Sequence, residues 1–377
     1  MDGLSSNNPA PLSANARASR GAEAWVERGR ARLASGRPRE ALSFLNQAIA
    51  TDELSAEAWY CKGNCLHELG RDEEAVRCYN RSLELDPGNP LAWNNKGIGL
   101  AGMGRIQDAL RCFDRALALD PGAASGWFNK GECSYSTRRY LDAWNCYDRM
   151  TQLSPGDAQA WVRKGLCLYR LGRLDDAVAA NREATRLDPH SFEAWLNLGV
   201  SHYSLGQFDD ALAACEDALR ENSADYRAWF NRAVCFHMLG LYSDAEKSCD
   251  RALALSPRDS RIWLNKGASL HCRGKYEEAV RCYERALELD SRAAAAWRNR
   301  GQCLMQLQRL EEAIRSYEHV LGINPGDSWT RIVMKAAERD ALRHPAPRPA
   351  RLRFSSINLA DGFPLPDTPR GPHRGNA

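Results

Sequence analysis

Cysteine and histidine are the residues in this sequence whose side chains most readily hold metal ions, and their spacing decides whether such a site can form. The chain contains 13 cysteines and 8 histidines. The stretch CKGNC at 61–65 has the spacing of a metal-binding pair, but no second pair follows it. His237 and His271 are 34 residues apart, which is one unit of a repeat that recurs along the chain. Adjacent helical units lie roughly 10 Å apart, too far for the two histidines to bind one ion without a third ligand. We also find no glycine-rich phosphate loop and no nucleophile constellation, so no metal, cofactor or enzymatic activity is expected.

Two further series of polar residues return at a fixed interval and favour binding rather than catalysis. An asparagine side chain offers a donor and an acceptor, as a peptide bond does, and tyrosine combines an apolar body with a polar tip. We therefore interpret both series as candidate peptide-binding residues. The alternatives are that the asparagines are merely solvated and that the second series packs between repeats. The first series is Asn95, Asn129, Asn197, Asn231, Asn265 and Asn299, and the second is Tyr135, Tyr169 and Tyr203, accompanied by His67, His237 and His271.

The interval is set by tryptophan, which recurs every 34 residues without insertion or deletion. The nine tryptophans are Trp25, Trp59, Trp93, Trp127, Trp161, Trp195, Trp229, Trp263 and Trp297. We number each unit so that its tryptophan is position 4, and the nine units then fill 22–327. Position 8 is glycine except at Ala233, position 20 is always alanine, position 19 is always acidic, and position 32 is proline in six units.

These choices predict two amphipathic helices in each unit. Apolar residues three and four apart define the helices, and a glycine such as Gly70 separates them at a left-handed cap. Proline at position 32 ends the second helix, and the acid at position 19 suits the positive end of its dipole. Glycine at position 8 and alanine at position 20 let the two helices approach closely.

The tryptophan, glycine, alanine and proline positions together resemble the tetratricopeptide repeat. The resemblance covers 22–327 and implies an all-α fold, a right-handed superhelical solenoid of nine 34-residue helix-turn-helix repeats. It also implies a concave groove, lined by the first helices, that binds segments of other proteins without catalysis. Asparagine at position 6 is similar to the asparagine ladder in the repeat domain of the eukaryotic O-linked N-acetylglucosamine transferases, although no catalytic domain is expected here.

The direction of each side chain follows from the helical turn of 100° per residue. Position 6 lies two residues after the core-facing tryptophan, so we expect its asparagine to face the groove and to contribute nothing to the core. Position 7, a lysine or arginine in eight units with Leu198 as the exception, lies nearer the core. We expect its aliphatic stem to cover the core edge. The alternative is a rail of cations that attracts acidic partners. The cysteines follow the repeat and are expected to be packing residues.

The ends of the chain differ from the repeats. Residues 328–344 continue the helical pattern and are expected to form a capping helix, with Trp329, Ile332 and Val333 packed inward. The first 21 residues and the Pro/Arg-rich segment 345–377 are expected to be disordered. A spaced apolar motif at 354–366 could dock into the groove of this or another copy, although a solvated tail is the simpler expectation.

Bulk composition limits the remaining function classes. The net charge of +3 gives no field that would favour nucleic acid or membrane, and no apolar run is long enough to span a bilayer. We expect a cytoplasmic scaffold or adaptor that binds extended protein segments. An alternative is a chaperone-docking adaptor or the targeting subunit of an enzyme complex. The carboxylate clamp of chaperone-docking adaptors needs lysine at position 5 and asparagine at position 9 of one unit. Asn64 holds position 9, but position 5 of its unit is Tyr60. The nearest approximation is Arg298 with Gln302.

Overall fold

The structure is a computed structural model that describes residues 14–343. This part of the chain contains nineteen helices and no strand. In chain order they are α1 Ala14–Ala34, α2 Pro38–Thr51, α3 Ala56–Glu68, α4 Asp72–Leu85, α5 Pro90–Gly102, α6 Ile106–Leu119, α7 Ala124–Ser136, α8 Tyr140–Leu153, α9 Ala158–Arg170, α10 Leu174–Leu187, α11 Phe192–Ser204, α12 Phe208–Glu221, α13 Tyr226–Met238, α14 Tyr242–Leu255, α15 Ser260–Cys272, α16 Tyr276–Leu289, α17 Ala294–Gln306, α18 Leu310–Ile323 and α19 Ser328–Arg343. We call the pairs from α1–α2 to α17–α18 hairpins 1 to 9, and the predicted fold class is confirmed.

The chain divides into two compact units, and the division falls between Cys167 and Leu168, inside α9. The first unit holds α1 to α8 and most of α9, whereas the second holds α10 to α19. In each unit, the two helices of a hairpin pack against each other and the second helix packs against the first helix of the next hairpin.

Close approach within a hairpin depends on the small residues at positions 8 and 20. Alanine at position 20 is 0% exposed in every hairpin. A Cβ added to Gly97, at position 8, would lie 2.6 Å from the ring of Phe113, at position 24 of the same hairpin. Hairpin 7 is the exception in sequence, and it has Ala233 opposite the small Cys249. A side chain at position 8 is therefore tolerated in this hairpin, where the residue at position 24 has no aromatic ring.

The turn between the two helices requires a left-handed backbone at position 15. Glycine takes this conformation in seven hairpins, for example Gly104 with φ of +76°. Arg138 and Gln308 occupy the same position in hairpins 4 and 9, with φ of 61° and 62°. In these two residues the Cβ makes the left-handed conformation sterically unfavourable, whereas glycine has no Cβ and adopts it freely.

Successive hairpins are linked by the indole of the recurring tryptophan. In eight hairpins the Nε1–H donates a hydrogen bond of 2.8–3.1 Å to the main-chain carbonyl six residues earlier, at position 32 of the preceding unit. Trp93 donates to Pro87 in this way, and Trp229 donates to Ser223. Because the acceptor is a main-chain oxygen, the link does not require proline at position 32.

The last helix, α19, packs against hairpin 9. Thr330 and Ala337 are 0% exposed, and Val333 packs against the core of the second unit. The prediction that Ile332 packs inward is wrong, because its side chain is 68% exposed. It lies two residues, or 200°, from Thr330, on the outer side of the helix.

Several predictions about the two ends of the chain concern residues outside 14–343. The expected disorder of 345–377, the apolar motif at 354–366, the last residue of the predicted cap and the first thirteen residues lie outside the described part. Residues 14–21, which we also expected to be disordered, form the first turns of α1. Between 14 and 343, no helix combines the length and apolar character needed to cross a membrane.

Candidate functional site

The six asparagines at position 6, called here the asparagine row, lie where the first helices of neighbouring hairpins meet. Asn95 is half-buried, and the other five are only 0–3% exposed. The expectation that they contribute nothing to the core is therefore wrong. The first helices of neighbouring hairpins contact each other directly: α3 contacts α5, and α11 contacts α13. This contact encloses the side of the first helix that lies opposite the tryptophan.

In the first unit, the row is hydrogen-bonded to the preceding first helix. Asn95 Nδ2 donates to Asn64 Oδ1 at 3.0 Å and to Tyr60 Oη at 3.2 Å. Asn64 Oδ1 also accepts a 2.8 Å hydrogen bond from Tyr79 Oη. These bonds join position 6 of one hairpin to positions 5 and 9 of the hairpin before it.

The next asparagine of the first unit follows the same pattern. Asn129 Nδ2 donates to Asn94 Oδ1 at 3.1 Å, and Asn94 holds position 5 of the preceding hairpin. Both side chains are buried. In this unit the row therefore has a structural role, because its amide groups tie neighbouring hairpins together.

A buried ion pair replaces this arrangement between hairpins 4 and 5. Arg163 holds position 6, and its Nε lies 3.2 Å from Oε1 of Glu132 at position 9 of the preceding hairpin. Glu132 is 3% exposed and accepts a 2.5 Å hydrogen bond from Tyr147 Oη. Burial, followed by the Glu132 charge, raises the pKa of Tyr147. We did not predict this pair, although acid at position 9 followed by arginine at the next position 6 is a signal in the sequence.

In the second unit, the row behaves differently at Asn197 and Asn231. Both side chains are buried, at 3% and 0% exposure, and neither the Oδ1 nor the Nδ2 atom of either has a hydrogen-bond partner in the described residues. For Asn231, the positions that supply partners in the first unit hold Leu196 and Val200. Apolar residues at these positions leave the amide without a donor or acceptor to meet.

The predicted tyrosine series is only partly exposed. Tyr135 is 3% exposed and packs edge-on against Tyr140, the first residue of the second helix, with ring centroids 5.3 Å apart. Tyr203 packs similarly on Phe208 at 5.5 Å, and burial raises its pKa. Tyr169 Oη accepts a 3.2 Å hydrogen bond from Ser204 Oγ. Tyr169 and Tyr203 keep part of their surface accessible.

The histidines of the same series pack in the same way. His237 lies on Tyr242 and His271 on Tyr276, with centroids 5.1 and 5.6 Å apart. Burial lowers the pKa of both histidines to about 4. Among residues 14–343, no group of three or more potential ligands is arranged to hold a metal ion.

Burial also decides the chemistry of the thiols. Twelve of the thirteen cysteines are buried, and Cys272 is half-buried. Burial raises the pKa of Cys61 and of Cys65 to about 12, so neither is a thiolate near neutral pH.

The cation at position 7 has structural partners on both sides. Lys164 Nζ lies 4.5 Å from the ring centroid of Trp161 and 2.7 Å from Asp148 Oδ1 in the preceding hairpin. Eight hairpins show the contact with tryptophan. Five show the ion pair with the acid sixteen residues earlier, at position 25. In these five hairpins the cation is therefore neutralised internally, which argues against a rail for acidic partners.

The residues nearest to a chaperone clamp are also engaged within the chain. Asn64 accepts from Tyr79 and Asn95. Arg298 pairs with Asp327 and lies over the ring of Trp329. Gln302 is 0% exposed. The Asn64 oxygen and the Arg298 guanidinium are thus engaged within the chain, and Gln302 is buried.

Comparison with family models gives a match over most of the chain. A model described as "Tetratricopeptide repeat" matches residues 26–90, 94–158, 137–192, 179–223, 196–260 and 273–328, and a second model with the same description matches 248–281. The search of curated proteins returned no match.

Similarity to solved structures is found at low sequence identity. A chain in the crystal structure of the APC/C hetero-tetramer Cut9–Hcn1 gives a TM-score of 0.52 and 20% identity, over 79% of this chain and 59% of that one. YrrB, described as a TPR protein with an unusual peptide-binding site, gives 0.45 and 19% over 53% and 99%. MamA from Desulfovibrio magneticus RS-1 gives 0.43 and 23% over 45% and 95%.

Proposed function

The chain belongs to the tetratricopeptide repeat family, and from this premise we propose that it is a non-catalytic scaffold that binds an extended segment of a partner protein along its first helices. The family match supports a protein-binding role, and no nucleic acid, membrane or cofactor is part of the proposal. The partner segment is held mainly by its main chain, with Tyr169 and Tyr203 supplying accessible aromatic surface beside it.

The observation that carries this proposal is the pair of unmet amides in the second unit. Asn197 and Asn231 hold equivalent positions in consecutive hairpins, and each leaves a buried donor and a buried acceptor without a partner. Such groups are rare in folded proteins because each costs about 1–3 kcal/mol of desolvation. A peptide bond supplies the missing acceptor and donor together.

Recognition requires the amides to become accessible. Both asparagines lie beneath the surface, so their side chains must turn outward to meet a partner chain. An asparagine side chain has two rotatable bonds, and it changes rotamer by moving between low-energy torsion angles. The torsional energy of this change is small compared with the free energy of the hydrogen bonds that are gained. The remaining members of the second unit's row, Asn265 and Asn299, lie one and two hairpins further along.

A selection from a random 12-residue peptide library tests the proposal, since a partner does not have to be known in advance. The whole chain serves as bait, and selected peptides are titrated calorimetrically against Asn197→Leu/Asn231→Leu. Asn145→Leu, on the exposed face of α8, is the matched control. The double variant is expected to lose at least tenfold in affinity while the control is unchanged. Equal affinity of the wild type and the double variant would remove the row from the proposed binding surface.

A further inference from the structure

A cleft of about 440 Å³ opens in the first unit between hairpins 2 and 3, on the side of their second helices. Its charged lining consists of Lys96, Arg105, Arg111, Arg115 and Asp108. Asn80, on α4, also lines the cleft. A volume of this size suits a small molecule.

Cations exceed acids in this cleft by four to one. Asp108 pairs with Arg105 at 2.8 Å and with Arg111 at 3.4 Å. Lys96 Nζ lies 4.9 Å from the ring centroid of Trp93, but within residues 14–343 no carboxylate pairs with Lys96 or with Arg115. The cleft therefore holds positive charge that the protein does not balance locally.

The corresponding cleft one hairpin further along supplies an internal comparison. It measures about 170 Å³, and its lining balances Lys130 and Arg139 with Asp114 and Asp142. Lys130 Nζ lies 2.7 Å from Asp114 Oδ1. Asn80 holds the position in its hairpin that Asp114 holds in the next, so the larger cleft lacks the anion that the smaller one contains.

We propose that this cleft binds a small phosphate-bearing anion, whose phosphate takes the place of the missing position 25 carboxylate. Guanidinium groups match phosphate oxygens with paired hydrogen bonds, and lysine adds a point charge. A phosphate carries up to two negative charges, which fits an excess of three positive charges better than one carboxylate does. The cleft lies on the second-helix side, away from the asparagine row, and the inference does not rest on the proposed peptide binding.

Substitution of Asn80 tests the site with little risk to the fold. Asn80→Asp recreates the ion pair that Asp114 and Lys130 form one hairpin later, and Lys96→Gln removes the unbalanced ammonium group directly. Gln159→Glu adds the same charge as Asn80→Asp at an exposed position on α9 and is the control. Inorganic pyrophosphate is titrated calorimetrically into each full-length protein at low salt, and thermal unfolding verifies that each variant is folded.

We expect pyrophosphate to bind the wild type and Gln159→Glu alike, and Asn80→Asp and Lys96→Gln each to lower the affinity at least tenfold. Citrate, titrated in parallel, separates phosphate from carboxylate chemistry and is expected to bind at least tenfold more weakly. The inference is overturned if the wild type binds no pyrophosphate at millimolar concentration, if citrate binds equally well, or if Gln159→Glu weakens binding as much as Asn80→Asp does.

Discussion

The ammonium group of Lys130 lies 2.7 Å from the carboxylate of Asp114, which belongs to the preceding hairpin. The same pairing, between position 7 and the acid sixteen residues earlier, occurs at five hairpin junctions. The one hairpin without a cation at position 7 has Leu198, and the residue sixteen positions before it is Arg182. This junction lacks both members of the pair, whereas Lys62 and Lys96 keep the cation with Asn46 and Asn80 at position 25. Where cation and acid are both present, we interpret the pair as stabilising the junction between hairpins.

A charge exchange at that exceptional junction tests the role of the pair. We expect Leu198→Lys to destabilise the protein, because it removes a buried leucine and places a cation near Arg182. Adding Arg182→Asp is expected to restore about 1 kcal/mol of the free energy of unfolding, because the new lysine then faces an acid. Urea unfolding of the wild type, both single variants and the double variant gives this coupling energy as a double-mutant cycle. A coupling energy of zero would mean that position 7 and position 25 do not interact.

The left-handed turn of hairpin 4 gives a stabilising substitution. Arg138 has a φ of 61° where seven other hairpins have glycine. Arg138→Gly is expected to raise the free energy of unfolding by about 0.5–1 kcal/mol, since glycine adopts this conformation without steric cost. Gly104→Arg, the reverse change at the same position of hairpin 3, is the matched control and should lower the free energy by a similar amount. Urea unfolding of both variants measures the difference, and a loss of stability in Arg138→Gly would contradict the interpretation.

Where position 24 carries an aromatic ring, that ring requires glycine at position 8. Gly267→Ala places a Cβ 2.6 Å from the ring of Tyr283, which is fully buried and cannot move aside freely. We expect a loss of about 1–3 kcal/mol in the free energy of unfolding. Ala233→Gly, in the hairpin where Cys249 replaces the ring, should cost only about 1 kcal/mol through helix propensity. Similar small effects for both changes would show that the close approach is not limiting.

Two buried histidines predict acid sensitivity of the second unit. Burial lowers the pKa of His237 and of His271 to about 4. The unfolded chain takes up these protons below a pH of about 6.5, whereas the folded chain does so only near 4. The stabilisation from neutral histidine is thus complete above about 6.5 and is lost as the pH falls toward 4. His271→Gln should flatten the fall in melting temperature between these values, and an unchanged pH profile would contradict the assigned burial.

Most of the fold was predictable from the sequence because each repeat position has one packing role. Glycine at position 8 and alanine at position 20 fixed the helix pair, and the 34-residue interval fixed the order of the hairpins. Ile332 was placed wrongly because, among residues 14–343, no second helix comes after α19, so the repeat does not determine which face of α19 is buried. The phase of the helix is instead set by Thr330, Val333 and Ala337.

The candidate site was predictable in its residues but not in its environment. Spacing identified the asparagine row, yet burial at position 6 depends on direct contact between first helices, which no single helix reveals. Whether an amide is satisfied depends on positions 5 and 9 of the preceding hairpin. Asn64 satisfies Asn95, whereas the equivalent Val200 offers nothing to Asn231.

This difference predicts opposite effects of one substitution at two places in the row. Asn231→Leu should leave the free energy of unfolding unchanged or raise it by about 1–3 kcal/mol, because it removes buried polar atoms without partners. Asn95→Leu should lower it by about 1–2 kcal/mol, because Asn95 bonds to Asn64 and Tyr60. Chemical denaturation of both variants measures the contrast, and equal destabilisation would show that Asn231 is satisfied in solution.

The most direct test of the central claim compares one selected peptide with its N-methylated form. N-methylation removes main-chain donors but keeps every side chain, so the two peptides differ in the groups that the asparagine amides are proposed to hold. Calorimetric titration of the whole chain should show at least a tenfold loss of affinity on N-methylation, and the Asn197→Leu/Asn231→Leu variant should bind both peptides with the same weak affinity. Equal, tight binding of both peptides by the wild type would contradict main-chain recognition by the first helices.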